Sequence, residues 1–478
     1  LPNIFDTTTE EEVTPKFPPT QFDFNDPCRP LTSQEVKQLR FNQVLVTFGL
    51  IEQPLDLERA EKVIDYIYAL YPPLDAIAIY DEKIKWYRYQ PQPHIPFKFE
   101  KEQELITNLQ QFSEYFSKCN SYITENHFTH WKLIKANIPE LPQVKQIMVT
   151  FIPHTFMGGL SCNLLYKIFN QLYINNTNFA INPEPLQQSF FRSVLAFDKE
   201  HMTLAEPIEE AHTIKTTHAT GDMIHNQKEM PNTTFNVFLV PFTSFYRIPG
   251  FTFTNSLNAI FLAQYAAYCY FHKDLPVDQK FILTYTDIRD ISEFFYKHGQ
   301  IQNLDFQKQL GMQSALLGFG VYGTTNTTIQ QLLEQIAASY KKFDACSNEE
   351  KIIRYVAYEY TSILEHQPVA PVSINVSNEG KNDLGDGPIV QSFNHTTCSY
   401  VNGKPQFLMI WPIINSGKFG TIICNPITPE ITKKQQNDTI QISLMIFEQV
   451  KQRGANSITV ADIVKMYENH YGQEQKIE

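Results

Sequence analysis

The stretch KQIMVTFIPHTFMGGLSCNLLYKIF, residues 145–169, constrains the fold of this chain more than any other segment. Its first half alternates two apolar faces, with Ile147, Val149 and Phe151 on one and Met148 and Ile152 on the other. A strand that is apolar on both sides has no face to give to water, so it belongs inside a covered sheet. The second half repeats at helical spacing, with Leu164, Leu165, Ile168, Phe169 and Leu172 on one stripe. Ser161 reads as the helix N-cap. Between them lie Pro153, His154 and the pair Gly158 and Gly159. The unit is strand, histidine-glycine turn, helix, and it places the chain in a mixed α/β class.

The remaining segments fit that class. Residues 56–70 carry Leu57, Ala60, Val63, Ile64, Ile67 and Leu70 at helical spacing. AIAIYDEKIKWYRY reads as two strand-like halves with turn residues between. A charged helix is expected over 101–119. WKLIKANI (131–138) and KQIMVTFI (145–152) predict two strands joined by a Pro-bearing turn. An apolar helix is expected over 256–272 with Thr254 as its cap, then strands over 280–291 and from 313, and a helix to 342. Residues 366–390 have the composition of a flexible loop. Two strands (406–414 and 419–427) and an amphipathic helix close the chain. Four segments result: an acidic, Pro-bearing arm (1–28), an N-terminal half with the histidine turn (29–185), a crossing linker with short strands (186–250), and a C-terminal half (251–478).

Composition removes several functions. The chain has 478 residues, 42% of them hydrophobic, enough for a real core. Its formal net charge is −12, so polyanions are repelled and nucleic acid is not an expected partner. Seven scattered cysteines form no CxxC pair, which argues for reduced thiols and against a zinc site or disulfide framework. The most apolar stretch, LNAIFLAQYAAYCYF (257–271), contains Asn258 and Gln264 and is too short to span a bilayer. The sequence starts at Leu1, so its natural start is expected upstream.

His154 is the leading chemical candidate. A strand end followed by glycines exposes a side chain at a sheet rim. Gly158 and Gly159 permit a sharp turn or a close ligand approach. The next helix offers unpaired amides and the positive end of its dipole. An imidazole with a pKa near ~6.5 suits a general base. An ordinary loop histidine is the reading these residues leave open beside it. GFGVYG (318–323) satisfies G-x-G-x-x-G, but the strand before it is short and no acidic residue ends the next one. GLSCN is not a nucleophile elbow. His127, His130, His212, His218 and His225 lack carboxylate or cysteine partners at ligand spacing, so no metal is expected.

VTFIPHTFMGGLSCNLLYKIF resembles the His-x-x-x-Asp-Gly segment of the CoA-dependent acyltransferases with the chloramphenicol-acetyltransferase-like fold. RPLTSQE (29–35), WKLIKANI, FTFTNSLNAIFLAQYAAY (251–268), FILTYTDIRDI (281–291) and IINSGKFGTIICN (413–425) resemble further family segments in the same order. The last is most like the fungal alcohol acetyltransferases. The resemblance spans about residues 29–450. It implies two similar α/β sandwich halves with a tunnel between them, and transfer of an acetyl or short acyl group from acetyl-CoA to an alcohol or amine of a small lipophilic acceptor. It makes His154 the base, with Gly158, Gly159, Ser161 and Arg289 supporting its loop. Asn415 or Ser416 would face the oxyanion. The family's aspartate falls at Gly158, and the plant-type Asp-Phe-Gly-Trp-Gly signature is missing. Asp287, Asp290 or a water is expected to satisfy Arg289 in place of that aspartate. A relative that has lost catalysis and binds a ligand or partner is the alternative. A cytoplasmic monomer is expected, with peripheral lipid-droplet or endoplasmic-reticulum association open.

Overall fold

The computed structural model describes residues 28–31, 35, 39, 44–84, 86–100, 104–118, 129–175, 212–213, 234–272, 275–290, 314–347, 374–376, 383–396, 408–413, 421–427 and 433–474. The N-terminal elements are β1 (Val44–Ile51), α1 (Leu57–Leu70), β2 (Ala76–Asp81), β3 (Trp86–Pro91), β4 (Leu105–Ile106), α2 (Leu109–Lys118), β5 (His130–Ala136), β6 (Gln146–Pro153) and α3 (Gly159–Asn175). There follow β7 (His212–Thr213), β8 (Thr234–Val240), α4 (Phe253–Phe271), β9 (Phe281–Asp290), β10 (Ser314–Gly323), α5 (Ile329–Asp344), β11 (Ile374–Val376), β12 (Ile389–Thr396), β13 (Leu408–Ile413), β14 (Thr421–Ile427), α6 (Lys433–Arg453) and α7 (Val460–Glu474).

The strands form two large sheets and a hairpin. The first sheet has the order β12-β1-β6-β5-β4, and the second β10-β9-β11-β13-β14-β8, with β7 beside β9. β2 and β3 form the hairpin. Residues 29–31 run beside β3, with Leu31 N–H donating to Tyr87 O and Tyr89 N–H to Arg29 O.

The two-sided reading of β6 holds. Met148 and Ile152 pack under α1 and α3, while Ile147, Val149 and Phe151 join a second cluster with Phe48, Phe112 of α2 and Phe393 of β12. Phe48 stacks on Phe393 at 4.9 Å and meets Phe112 edge-on at 5.2 Å. Gly49 lets α3 come close, because a Cβ there would lie 2.9 Å from the Tyr166 ring. α4 is apolar all round and is enclosed by one cluster drawn from α5, α6, α7 and the second sheet.

Several sequence boundaries shift for local reasons. The helix expected over 101–119 begins only at Leu109, where Asn108 Oδ1 accepts from Gln111 N–H at 2.8 Å; Leu105 and Ile106 instead pair with Lys135 and Ala136. α4 starts at Phe253 and its cap is Thr252, not Thr254, accepting from Asn255 N–H. Residues 366–390 are not simply loop: β11 lies within them and joins β9 to β13. α7 had no expectation at all. The glycines of GFGVYG stand within β10, antiparallel to β9, so no phosphate-cradling turn forms there. β12 comes from the C-terminal half yet pairs with β1, so the boundary at 251 does not separate two self-contained sheets. The arm before residue 28 lies outside the described residues, and no helix among those described is long and apolar enough to cross a membrane.

The Pro-rich segment after β3 is strapped across α1. Nδ1 of His94 lies 2.7 Å from Asp75 and Nε2 3.2 Å from Asp65. Asp65 and Glu61 accept from the amides of Phe97 and Phe99. Both ring nitrogens can donate only in the charged imidazole. Burial opposes that charge, but Asp75 and Asp65 outweigh it and hold the His94 pKa above its ordinary value. Asp75 is itself pushed up by burial, which bounds the window on the acid side. A histidine raised on folding stabilises fully below its unfolded pKa, about 6.5, and loses that contribution as pH rises through the folded value. The melting temperature of wild type should therefore exceed that of His94→Gln most in mildly acidic solution, and the gap should close as pH rises into the alkaline range. A gap that widens as pH rises would contradict the assignment.

Candidate active site

His154 follows the last residue of β6, at the sheet end where Val44 of β1 pairs with Pro153. Thr396 of β12 stands opposite Leu45 at the same sheet end, with β1 lying between β12 and β6. The turn closes with Phe156 N–H donating to Pro153 O at 2.9 Å. Nδ1 of His154 lies 2.7 Å from the carbonyl oxygen of Met157. A carbonyl can only accept, so Nδ1 carries the proton and Nε2 is the basic nitrogen. The main chain of the turn thus sets the tautomer.

Rim exposure is less than the sequence suggests. His154 is 9% exposed, since Thr155, Phe156 and Met157 of the same turn are themselves buried. Gly158 is buried and Gly159 half-buried. α3 begins at Gly159, so Ser161 sits inside the first helical turn and not at the N-cap; it is buried there. Its cap reading is corrected, because the helical hydrogen bond from Cys162 N–H already reaches Gly158 O.

α3 is fastened on both sides. The Tyr166 hydroxyl lies 2.8 Å from Thr47 O and accepts from Thr150 Oγ1 at 3.0 Å. Asn163 Oδ1 accepts from the Ser392 hydroxyl of β12 at 2.8 Å. Asn170 donates to Ile389 O at 2.8 Å and accepts from Ile389 N–H at 3.0 Å. These contacts hold the helix after the histidine against the strand that crosses from the other half.

His154, Gly158, Gly159 and Ser161 are therefore brought together in one strand-turn-helix unit. Arg289 stands in β9 of the second sheet, opposite Ala315; its side chain, and those of Asp287 and Asp290, lie outside the described residues. Asn415 and Ser416 also lie outside them. Among the other histidines, His130 is in β5 and His212 in β7, while His127, His218 and His225 lie outside the described residues. Burial, then nearby Lys132, lowers the His130 pKa, so its ring stays neutral. Among the described residues no group of three or more His, Cys, Asp or Glu side chains is placed to hold a metal ion.

Beside the turn is a polar cluster that the sequence reading assigned no role. Arg29 and Glu35 form a two-pronged ion pair at 2.8 and 3.0 Å, and they are 3% and 1% exposed. The Tyr89 hydroxyl donates to Glu35 Oε1 at 2.9 Å, and its ring lies 5.6 Å from that of Phe156. Both ionic residues come from RPLTSQE, residues 29–35.

No protein-family model matches this sequence, and no curated protein matches it. Solved structures do match in fold. The first condensation domain of the calcium-dependent antibiotic synthetase, in complex with a substrate analogue, has a TM-score of 0.59 at 11% identity, covering 91% of this chain and 98% of that one. Polyketide synthase associated protein 5 from Mycobacterium tuberculosis has a TM-score of 0.56 at 11% identity, over 88% and 97%. A variant of the starter condensation domain of rhizomide synthetase in complex with C8-CoA has a TM-score of 0.55 at 12% identity, over 90% and 97%. Such identities speak to architecture and not to activity. The chain has the mixed α/β, chloramphenicol-acetyltransferase-like fold of these condensation domains, over nearly its whole length.

Proposed function

We propose that this chain is an acyltransferase that moves an acyl group from a CoA thioester directly to a hydroxyl or amine. The observation that carries the reading is the Nδ1 contact of His154 to Met157 O at 2.7 Å, which leaves Nε2 as the base at a strand end of an acyl-transfer-type fold. Nε2 takes the proton from the acceptor hydroxyl as its oxygen bonds to the thioester carbonyl carbon. The tetrahedral intermediate collapses, the carbon–sulfur bond breaks, and Nε2 returns the proton to the CoA sulfur. No acyl group rests on the protein and no metal takes part.

The finer parts of the reading rest on the sequence. The donor is acetyl-CoA or a short-chain homologue, and the acceptor a small lipophilic alcohol or amine. Asn415 or Ser416 would donate to the oxyanion, as such donors do in other acyl transfers. Gly158 can stand in the aspartate's place because the Met157 carbonyl, Tyr166 and the Asn163–Ser392 contact hold the turn and helix without it. Arg289 would be met by Asp287, Asp290 or a water. The protein would act as a cytoplasmic monomer.

One observation favours a second reading, a non-catalytic relative that binds a ligand: only 9% of His154 is exposed. A single assay separates the two. The chain is incubated with acetyl-, butyryl- and octanoyl-CoA against a panel of alcohols and amines, and free thiol is followed. Acceptor-dependent release supports the transferase. CoA binding by calorimetry with no release against any acceptor supports the binder.

A further inference from the structure

We propose that Arg29, Glu35 and Tyr89 are positioning residues for the His154 turn and act on it through Phe156. The inference rests on the reading of His154 as the base. Arg29 grips Glu35 with two nitrogens and donates a third contact to Pro30 O at 2.9 Å. Its guanidinium also lies 4.6 Å over the Tyr89 ring. Tyr89 ties Glu35 to β3 through its hydroxyl, and its ring lies 5.6 Å from that of Phe156, tilted by 40°. Phe156 is the residue whose amide closes the turn onto Pro153, two positions from the imidazole. The chain of contacts runs from a buried ion pair to the loop that sets the His154 tautomer.

The placement is costly unless it does something. A buried ion pair is often no more stabilising than an apolar replacement of the same size, so its presence points to a specific geometry being held. Burial works against the Arg29 charge, and Glu35 more than offsets it, so the guanidinium stays protonated. Burial and the Glu35 charge push the Tyr89 phenol well up, so its proton stays available to Glu35. Arg29 and Tyr89 therefore both keep their protons, as a rigid support requires. No charged residue of the turn replaces the absent aspartate, and this cluster lies against it.

The test uses the full chain with 15N-labelled histidine, the His154 signals being assigned with His154→Asn. Three variants cut the path at different points. Arg29→Met with Glu35→Leu removes the pair without orphaning a charge. Tyr89→Phe keeps the ring but drops the hydroxyl. Phe156→Ala leaves the pair intact and cuts the link. Folding is checked by near-ultraviolet circular dichroism. The proposal expects the Nδ1–H form of His154 to lose its single tautomer in the double variant and in Phe156→Ala, and less so in Tyr89→Phe. In the same two, kcat should fall about tenfold to 10²-fold with KM little changed, as for small misplacements of a catalytic group. Folded variants whose His154 signals match wild type overturn the proposal. Should the double variant not fold, Phe156→Ala decides alone. The nuclear signal needs no turnover: a chain that transfers no acyl group but whose His154 signals move refutes the function while upholding the positioning, and the converse result refutes only the positioning.

Discussion

His154→Ala should abolish measurable acyl transfer while leaving the chain folded and CoA bound. A positioned general base contributes about 10²–10⁴-fold to rate, and here it also returns the proton to the leaving thiolate. The loss should appear in kcat, because the imidazole meets the acceptor proton and not the body of CoA. The substitution removes a ring that is nearly buried, so folding must be controlled; His154→Asn, which can keep a contact to Met157 O, is the matched control and should be as inactive as alanine. The measurement is thiol release under saturating donor, beside calorimetric CoA affinity. Activity within about threefold of wild type in a folded His154→Ala chain would remove the imidazole from the chemistry, since removing a general base should cost at least about 10²-fold.

Gly387→Ala should be the most destabilising single methyl in the described structure. A Cβ at Gly387 would lie 2.2 Å from Cγ and 2.4 Å from Cβ of Asn170. Asn170 is fully buried and cannot give way without releasing its contacts to Leu384 O, Ile389 O and Ile389 N–H. Orphaned buried groups and forced overpacking together cost about 3–5 kcal/mol. The damage falls where β12 enters the first sheet, so the loss should be seen as a lowered urea midpoint and as faster amide exchange in β12 and β1. Gly472→Ala is the control, because nothing lies within 4 Å of its added Cβ. Equal midpoints for the two variants would mean that the Asn170 clamp does not hold the crossing strand.

The sequence carried the local unit around His154 well, for a physical reason. Alternation at period two in β6 and helical spacing in α3 are short-range signals, and the apolar residues on both faces of β6 sort into two cores as the pattern demands. Element ends were less legible. Thr254 and Ser161 were plausible caps by type, but Thr252 and the turn at Gly158 start their helices. α7 had a readable start: Thr459 accepts from Asp462 N–H at 3.1 Å while Asp462 accepts from Thr459 N–H at 3.0 Å. What could not be read was tertiary. Neither the pairing of β12 with β1 nor the meeting of the Arg29–Glu35 pair with Tyr89 and Phe156 leaves any trace at short spacing, since the partners come from segments far apart in the chain. The resemblance supplied the order of the elements; the mode of holding a turn that lacks its aspartate came only from the contacts.

The central claim is direct transfer of an acyl group past the His154 imidazole, and one single-turnover mass measurement meets it head on. The chain is mixed with a stoichiometric amount of acyl-CoA and an acceptor drawn from the panel, and the acceptor, CoA and intact protein are weighed together. Direct transfer predicts acylated acceptor equal to CoA released, a protein of unchanged mass throughout, and neither product with His154→Ala. Acyl-CoA that stays whole with every acceptor, or an acyl group found on the protein, would contradict it.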